Sequence, residues 1–194
     1  MSLSDWNDKK NGAYMVLSAT QVYEGVKSLR TLCKNADEVI KILDKSEIDL
    51  PKSVAIDFWL FLRRGSFDSN FSMFFRYQDI DNFYLFRFQQ WSTSTHFLFG
   101  RKETGVYYWN ADRTLDADVK NEWVHWKAEF CELDGTVYLY LYKEVAGEWV
   151  LKETESQSPA KFTGGGAFGV GAVEVGGNCG ADGYAYLDIT KIYY

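Results

Sequence analysis

The chain has 194 residues, a formal net charge of −6 and 18% aromatic residues. That length suits one large all-β domain of roughly 200 residues, which buries about 70% of the surface its unfolded form exposes and so needs neither metal nor disulfide merely to hold a core. Lys and Arg are scattered without a basic block, which excludes a nucleic-acid footprint, and no apolar run approaches the ~18 residues of a membrane span.

The amino terminus, Met1-Ser2-Leu3, lacks the basic and then apolar regions of a signal peptide. Helical signals are sparse; the best candidate is Ala36 to Leu43, with apolar Val39, Ile40 and Leu43, and the same residues also read as the end of a strand entering a loop. From there the chain is a series of strand-like runs parted by turn residues. They are Ser53 to Arg63, Phe71 to Gln78, Phe83 to Trp91, the shorter His96 to Gly100 and Val106 to Asn110, then Glu122 to Glu132 and Thr136 to Lys143. Asp134-Gly135 between two apolar runs predicts a type I′ hairpin, and Ala146-Gly147 predicts another before Trp149 to Lys152. The glycine-rich Gly164 to Gly171 and a loop through Asn178 to Gly183 precede a last strand, Tyr184 to Tyr193. No repeat or low-complexity linker marks a boundary, so residues 1–194 are read as a single β-sandwich domain.

Period-2 alternation assigns the faces. Ile56, Phe58, Leu60 and Leu62 point one way, against Asp57, Trp59, Phe61 and Arg63. Phe71, Met73, Phe75 and Tyr77 oppose Ser72, Phe74, Arg76 and Gln78, and Tyr84, Phe86 and Phe88 oppose Leu85, Arg87, Gln89 and Trp91. Val124, Trp126, Ala128 and Phe130 oppose Trp123, His125, Lys127 and Glu129. Each strand thus has an apolar face, expected to form a layer about 10 Å thick between two sheets, and a mixed aromatic and polar face, expected to be partly solvated.

Several segments carry a family likeness: VYEGVKSLR (Val22 to Arg30) near the start, then AIDFWLFLRR, FSMFFRYQDIDNFYLFRF and EWVHWKAEF, then GGGAFGVGA and the closing AYLDITKIYY. In that order they resemble the concanavalin A-like lectin and glucanase superfamily, which includes legume lectins, laminin-G modules and laminarinase-type hydrolases. The resemblance covers roughly residues 5 to 194. It implies an all-β, two-sheet antiparallel jelly-roll sandwich with a concave face that commonly binds glycans. It also implies one structural Ca2+ between an early Glu-Gly segment and an acidic residue of the last strand, here Glu24 and Asp188.

The chemistry-bearing residues divide three function classes. Retaining glycoside hydrolysis needs two carboxylates about 5 Å apart, and the superfamily's hydrolases carry them as Glu-x-Asp-x-x-Glu, a pattern absent here. Glu129 and Glu132 have opposite parity, and Glu153 with Glu155 is the other acidic cluster. Sugar recognition needs flat rings for the apolar side of a pyranose and planar hydrogen-bonding groups for its hydroxyls. The mixed faces supply both in Asp57, Trp59, Arg76, Arg87, Gln89, Trp91, Tyr108, Asn110, His125, Lys127 and Glu129. The leading reading is a non-catalytic, lectin-like module for a saccharide or glycan surface, with an extracellular or surface setting favoured. Beside it stand a structural or adhesive sandwich of a virion or cell-surface assembly, and a glycoside hydrolase or lyase with a non-standard site. Cys33, Cys131 and Cys179 are too far apart in sequence for zinc or Cys-x-x-Cys chemistry and read as buried thiols, with one disulfide plus one thiol as the alternative. Gly164-Gly165-Gly166 lacks the Lys-Ser/Thr of a phosphate loop, and Asn70-Phe71-Ser72 matches a glycosylation sequon. Oligomeric state is left open.

Overall fold

A computed structural model of the chain describes residues 6–10, 15–21, 23, 28–32, 39–43, 53–63, 69–91, 94–115, 119, 121–163, 166–173 and 184–193. Its strands, in chain order, are β1 (Trp6–Lys10), β2 (Met15–Ser18), β3 (Ser28–Leu32), β4 (Val39–Leu43), β5 (Val54–Arg63), β6 (Ser69–Asp79) and β7 (Asn82–Gln90). They continue as β8 (Thr95–Glu103), β9 (Val106–Thr114), β10 (Trp123–Leu133), β11 (Thr136–Val145), β12 (Glu148–Gln157), β13 (Ala167–Ala172) and β14 (Tyr184–Tyr193). A first seven-stranded sheet runs β1-β4-β13-β6-β7-β8-β9, and a second runs β12-β11-β10-β5-β14-β3-β2. This is the expected antiparallel jelly-roll sandwich. Among the described residues no helix is long and apolar enough to cross a membrane.

The apolar faces meet between the sheets as expected. Ile56, Phe58, Leu60 and Leu62 of β5 and Val124, Trp126, Ala128 and Phe130 of β10 are buried against Phe71, Met73 and Phe75 of β6, Tyr84, Phe86 and Phe88 of β7, and Phe97 and Phe99 of β8. Phe58 sits 6.3–6.4 Å from the rings of Phe71, Phe86 and Phe88, Phe75 stacks on Phe130 at 4.8 Å, and Phe88 packs on Trp126 at 4.9 Å. These are favourable offset and edge-to-face separations for aromatic pairs.

Both expected hairpins form: Asp134-Gly135 and Ala146-Gly147 take positive φ at both central residues, the type I′ pattern that matches strand twist. A third, Thr104-Gly105, joins β8 to β9, so those strands run through Arg101-Lys102-Glu103 and to Thr114 rather than ending at Gly100 and Asn110.

One open reading is decided and two expectations are corrected. Val39–Leu43 is a strand, the second of its two readings, paired between β1 and β13; its Val and two Ile residues suit a pleated ladder. Residues 36–38 lie outside the described set. Within β6 the ladder slips between Phe75 and Asp79, and Arg76 has a φ of 47°. Such a bulge reverses parity beyond it. Tyr77 therefore leaves the inter-sheet layer for a second cluster with Phe74, Phe83, Leu85 and Val173 on the other side of the sheet. Lastly, the sequon residue Asn70 is buried in β6, where no glycan chain would fit.

Because Phe58 touches three rings of the facing sheet, Phe58→Ala is expected to lower unfolding free energy by about 3–5 kcal/mol in chemical denaturation.

Candidate functional site

Residues opposite one another in an antiparallel ladder share a face, so the registers lay out each outer surface in rows. On the first sheet one row is Asn70, Gln89, His96 and Thr114. The next is Gly171, Ser72, Arg87, Leu98 and Asp112. The third is Gly169, Phe74, Leu85, Gly100 and Trp109.

Arg87 is the hub of this surface. It is only 4% exposed, and a buried cation needs compensating partners. Its guanidinium donates to the Val173 carbonyl at 2.8 Å and to Gln89 Oε1 at 2.6 Å, and lies 5.0 Å from the centroid of the Trp109 ring. Trp109 can lie flat there because Gly100 beneath it has no side chain; a Cβ at that position would sit 3.0 Å from the indole and 2.3 Å from the Tyr108 carbonyl oxygen. Ser72, beside Arg87, is buried with a hydroxyl that has no hydrogen-bond partner among the described residues.

Toward the sheet margin the surface opens. Trp91 is 37% exposed and packs one side of its ring on His96 at 3.6 Å. His96 is clamped by Asp112 Oδ1 at 2.8 Å from Nδ1 and by Ser94 Oγ at 3.1 Å from Nε2. The Trp91 backbone is tied to Ser94 by its own N–H donating to the Ser94 carbonyl at 2.8 Å, and Gln90 Nε2 donates to the carbonyls of Trp91 and Ser94. A half-open indole therefore borders a strip of planar polar groups, Gln89, His96 and Asp112, above the buried Arg87.

The second sheet's outer face is built differently. His125 has Glu144 on Nδ1 and Asp57 on Nε2. Trp59 is sandwiched between Tyr23 at 3.6 Å and His125 at 4.2 Å, nearly parallel to both. Lys127 is 2.8 Å from Glu129 and lies over the rings of Tyr142 and Trp149. Tyr142 donates to Glu129 at 3.3 Å, and burial with that carboxylate pushes its phenol above the ordinary value. These side chains occupy one another's binding capacity; both faces of Trp59 are already covered.

The expected ligand set is thus divided. Asp57, Trp59, His125, Lys127 and Glu129 lie together on the second sheet, whereas Arg87, Gln89 and Trp91 lie on the far side of the molecule. Arg76 joins neither: the bulge turns it inward, where it meets Glu132 and the Phe162 carbonyl, each at 2.6 Å, over the Phe130 ring. Arg87 and Gln89 are outward in direction as expected but buried rather than solvated, Gln89 being 7% exposed. Tyr108 and Asn110 are on β9 at the sandwich edge, with Tyr108 under Arg101 and Asn110 donating to Ser156 of β12. His96, Asp112 and Trp109 escaped the sequence reading. The signal that could have found them was the Thr104-Gly105 turn, which sets their register.

Of the calcium pair, Glu24 lies outside the described residues, and Asp188 is on β14 beside Trp59. Among the described residues no group of three His, Cys, Asp or Glu side chains could hold a metal. Cys131 is a free thiol whose pKa is pushed up by burial and by Glu129, the reverse of nucleophile activation. Cys33 and Cys179 lie outside the described residues.

No protein-family model matches the chain, and no curated protein matches it. Solved structures do. The carbohydrate-binding module CBM66 from Bacillus subtilis is 15% identical with a TM-score of 0.59, over 95% of this chain and 93% of its own. A legume lectin-like domain from Entamoeba histolytica is 9% identical with a TM-score of 0.60, over 98% and 89%. The exoplasmic/lumenal domain of VIP36 in its Ca2+/Man3GlcNAc-bound form is 12% identical with a TM-score of 0.57, over 95% and 85%. At these identities the likeness concerns the fold.

The inward side of edge strand β12 carries Glu153 and Glu155, opposite core Leu141 and Leu139. Burial and then Glu155 hold Glu153 above the usual carboxylate value, while Arg113 pairs with Glu155 at 3.3 Å. The folded chain therefore binds the Glu153 proton more tightly than the unfolded chain, and stability is lost as pH rises through and past the ordinary carboxylate value. Glu153→Gln is expected to raise the melting temperature at neutral pH and to leave it unchanged in acid, where the carboxyl is protonated in both states.

Proposed function

We propose that this concanavalin A-like jelly roll is a carbohydrate-binding, lectin-like module that takes its ligand on the outer face of the first sheet. The observation that carries the reading is the convergence of a half-exposed indole, Trp91, with Gln89, His96 and Asp112 on a strip anchored by buried Arg87. An indole face suits the C–H side of a pyranose. Amide, imidazole and carboxylate groups held in place by neighbours suit its hydroxyls, because their orientation is fixed before the ligand arrives. The partner groups also limit chemistry: in these rows Asp112 is the one carboxylate, and it is bound to His96, whereas glycoside hydrolysis works with a pair. Carbohydrate-binding and lectin domains among the fold's solved structures support the same reading.

A glycan array followed by calorimetry on the best hits tests it. Trp91→Ala and Asp112→Asn are expected to weaken binding at least about tenfold, ~1.4 kcal/mol, while Lys127→Ala on the opposite face leaves it unchanged. Absence of binding to every glycan would instead favour the structural or adhesive reading. A loss confined to Lys127→Ala would move the site to the second sheet.

The calcium that the resemblance implies would take Asp188 as one carboxylate ligand together with Glu24. On that reading calcium raises the melting temperature and a chelator lowers it; a melt insensitive to both removes the ion from the proposal.

A further inference from the structure

Among the described residues β12 is the outermost strand of the second sheet. Its first half presents three consecutive apolar residues to solvent: Trp149, Val150 and Leu151 are 36%, 40% and 51% exposed. An edge strand's outward N–H and C=O groups are a template for another strand, and natural edges are blunted by charges, prolines or bulges. Here the ladder slips only after Leu151, where Tyr142 pairs with Leu151 and Leu141 with Glu153. The segment before that slip is regular.

The hairpin decides which backbone groups face outward. Ala146 and Gly147, at φ 53° and 87°, form a two-residue type I′ turn, so its closing pair, Val145 and Glu148, exchanges both hydrogen bonds. Pair types alternate along an antiparallel ladder. Glu144–Trp149 and Tyr142–Leu151 are therefore the non-hydrogen-bonded pairs, and the N–H and C=O of Trp149 and Leu151 point away from β11.

The segment reads Glu148-Trp149-Val150-Leu151-Lys152. Laid antiparallel against itself with Val150 opposite Val150, it sets Trp149 opposite Leu151 and Glu148 opposite Lys152. In that register the outward backbone groups of Trp149 meet those of Leu151, apolar side chains meet apolar side chains, and the two ends carry opposite charges. Cross-strand pairs of both kinds are favourable. Centring on Leu151 would set Trp149 against Glu153 and carry the pairing past the slipped residue Lys152, where the Val150-centred register ends; centring on Trp149 would set Glu148 against Val150.

We propose that a second copy of this chain pairs here, β12 to β12, in a two-fold symmetric, self-complementary contact that joins the two second sheets into one. The segment is short, well below the roughly 1,200 Å² of a standard stable interface, so the dimer forms reversibly with concentration. A two-fold axis normal to the joined sheet leaves both first sheets on the same side of it. The two Trp91 strips then face one way, which would give bivalent attachment to a glycan surface; that consequence, unlike the pairing, rests on the proposed ligand face.

Sedimentation velocity of the whole chain over a concentration series tests the pairing without any ligand. The wild type is expected to show a monomer–dimer equilibrium. Glu148→Lys and Lys152→Glu, each of which sets like charges opposite, are expected to weaken it at least about tenfold, and the double exchange Glu148→Lys with Lys152→Glu to restore it. Leu151→Pro removes an N–H that points away from β11 and is expected to give a folded monomer by circular dichroism. A chain that stays monomeric at every concentration, a dimer indifferent to Glu148→Lys, or a double exchange that fails to restore association would overturn the proposal.

Discussion

Everything in this molecule is referred to the aromatic layer between its sheets. Phe58 among Phe71, Phe86 and Phe88, Phe75 on Phe130, and Phe88 on Trp126 interlock rings from facing sheets. A strand displaced by one residue would carry its rings out of this layer and its charges into it. The layer therefore pins the registers of β5, β6, β7, β8 and β10 together. Those registers in turn decide which polar residues become neighbours on the two outer faces.

The outer faces have similar composition and different chemistry. On the second sheet, charges and rings satisfy one another: His125 lies between two carboxylates, Trp59 between two rings, Lys127 over two more. On the first, one deeply placed cation, Arg87, is held by a carbonyl, an amide and an indole. That arrangement leaves Trp91 and the polar groups near it oriented at the margin. The same accounting explains Arg76, whose inward turn is matched by Glu132 and the Phe162 carbonyl.

Much of the fold was legible because alternation is a local property. The inward sets of β5, β7 and β10, the Asp134-Gly135 and Ala146-Gly147 hairpins and the closing strand Tyr184–Tyr193 were all readable from period and turn chemistry. The readings that failed or stayed open did so where a non-local term decides. Val39–Leu43 is a strand because β1 and β13 flank it. Tyr77 changed face because of the irregularity at Arg76, which the side chains around it do not announce. The β8–β9 pair was cut short because charged Arg101-Lys102-Glu103 reads as loop until its partners across the ladder are known.

By itself the sequence determined the class of fold, the inward face of most strands and the supply of indoles, guanidinium groups and carboxylates on the opposite faces, since each follows from residue type and a two-residue period. Only the tertiary structure decided which of those side chains share a surface. Asp57 and Arg87 have the same parity along their strands, yet they sit on opposite sides of the sandwich because β5 and β7 belong to different sheets. His96 and Asp112 meet because a turn between them brings their strands into register. Sheet membership and register are set by contacts among residues far apart in the chain, and no local pattern carries them.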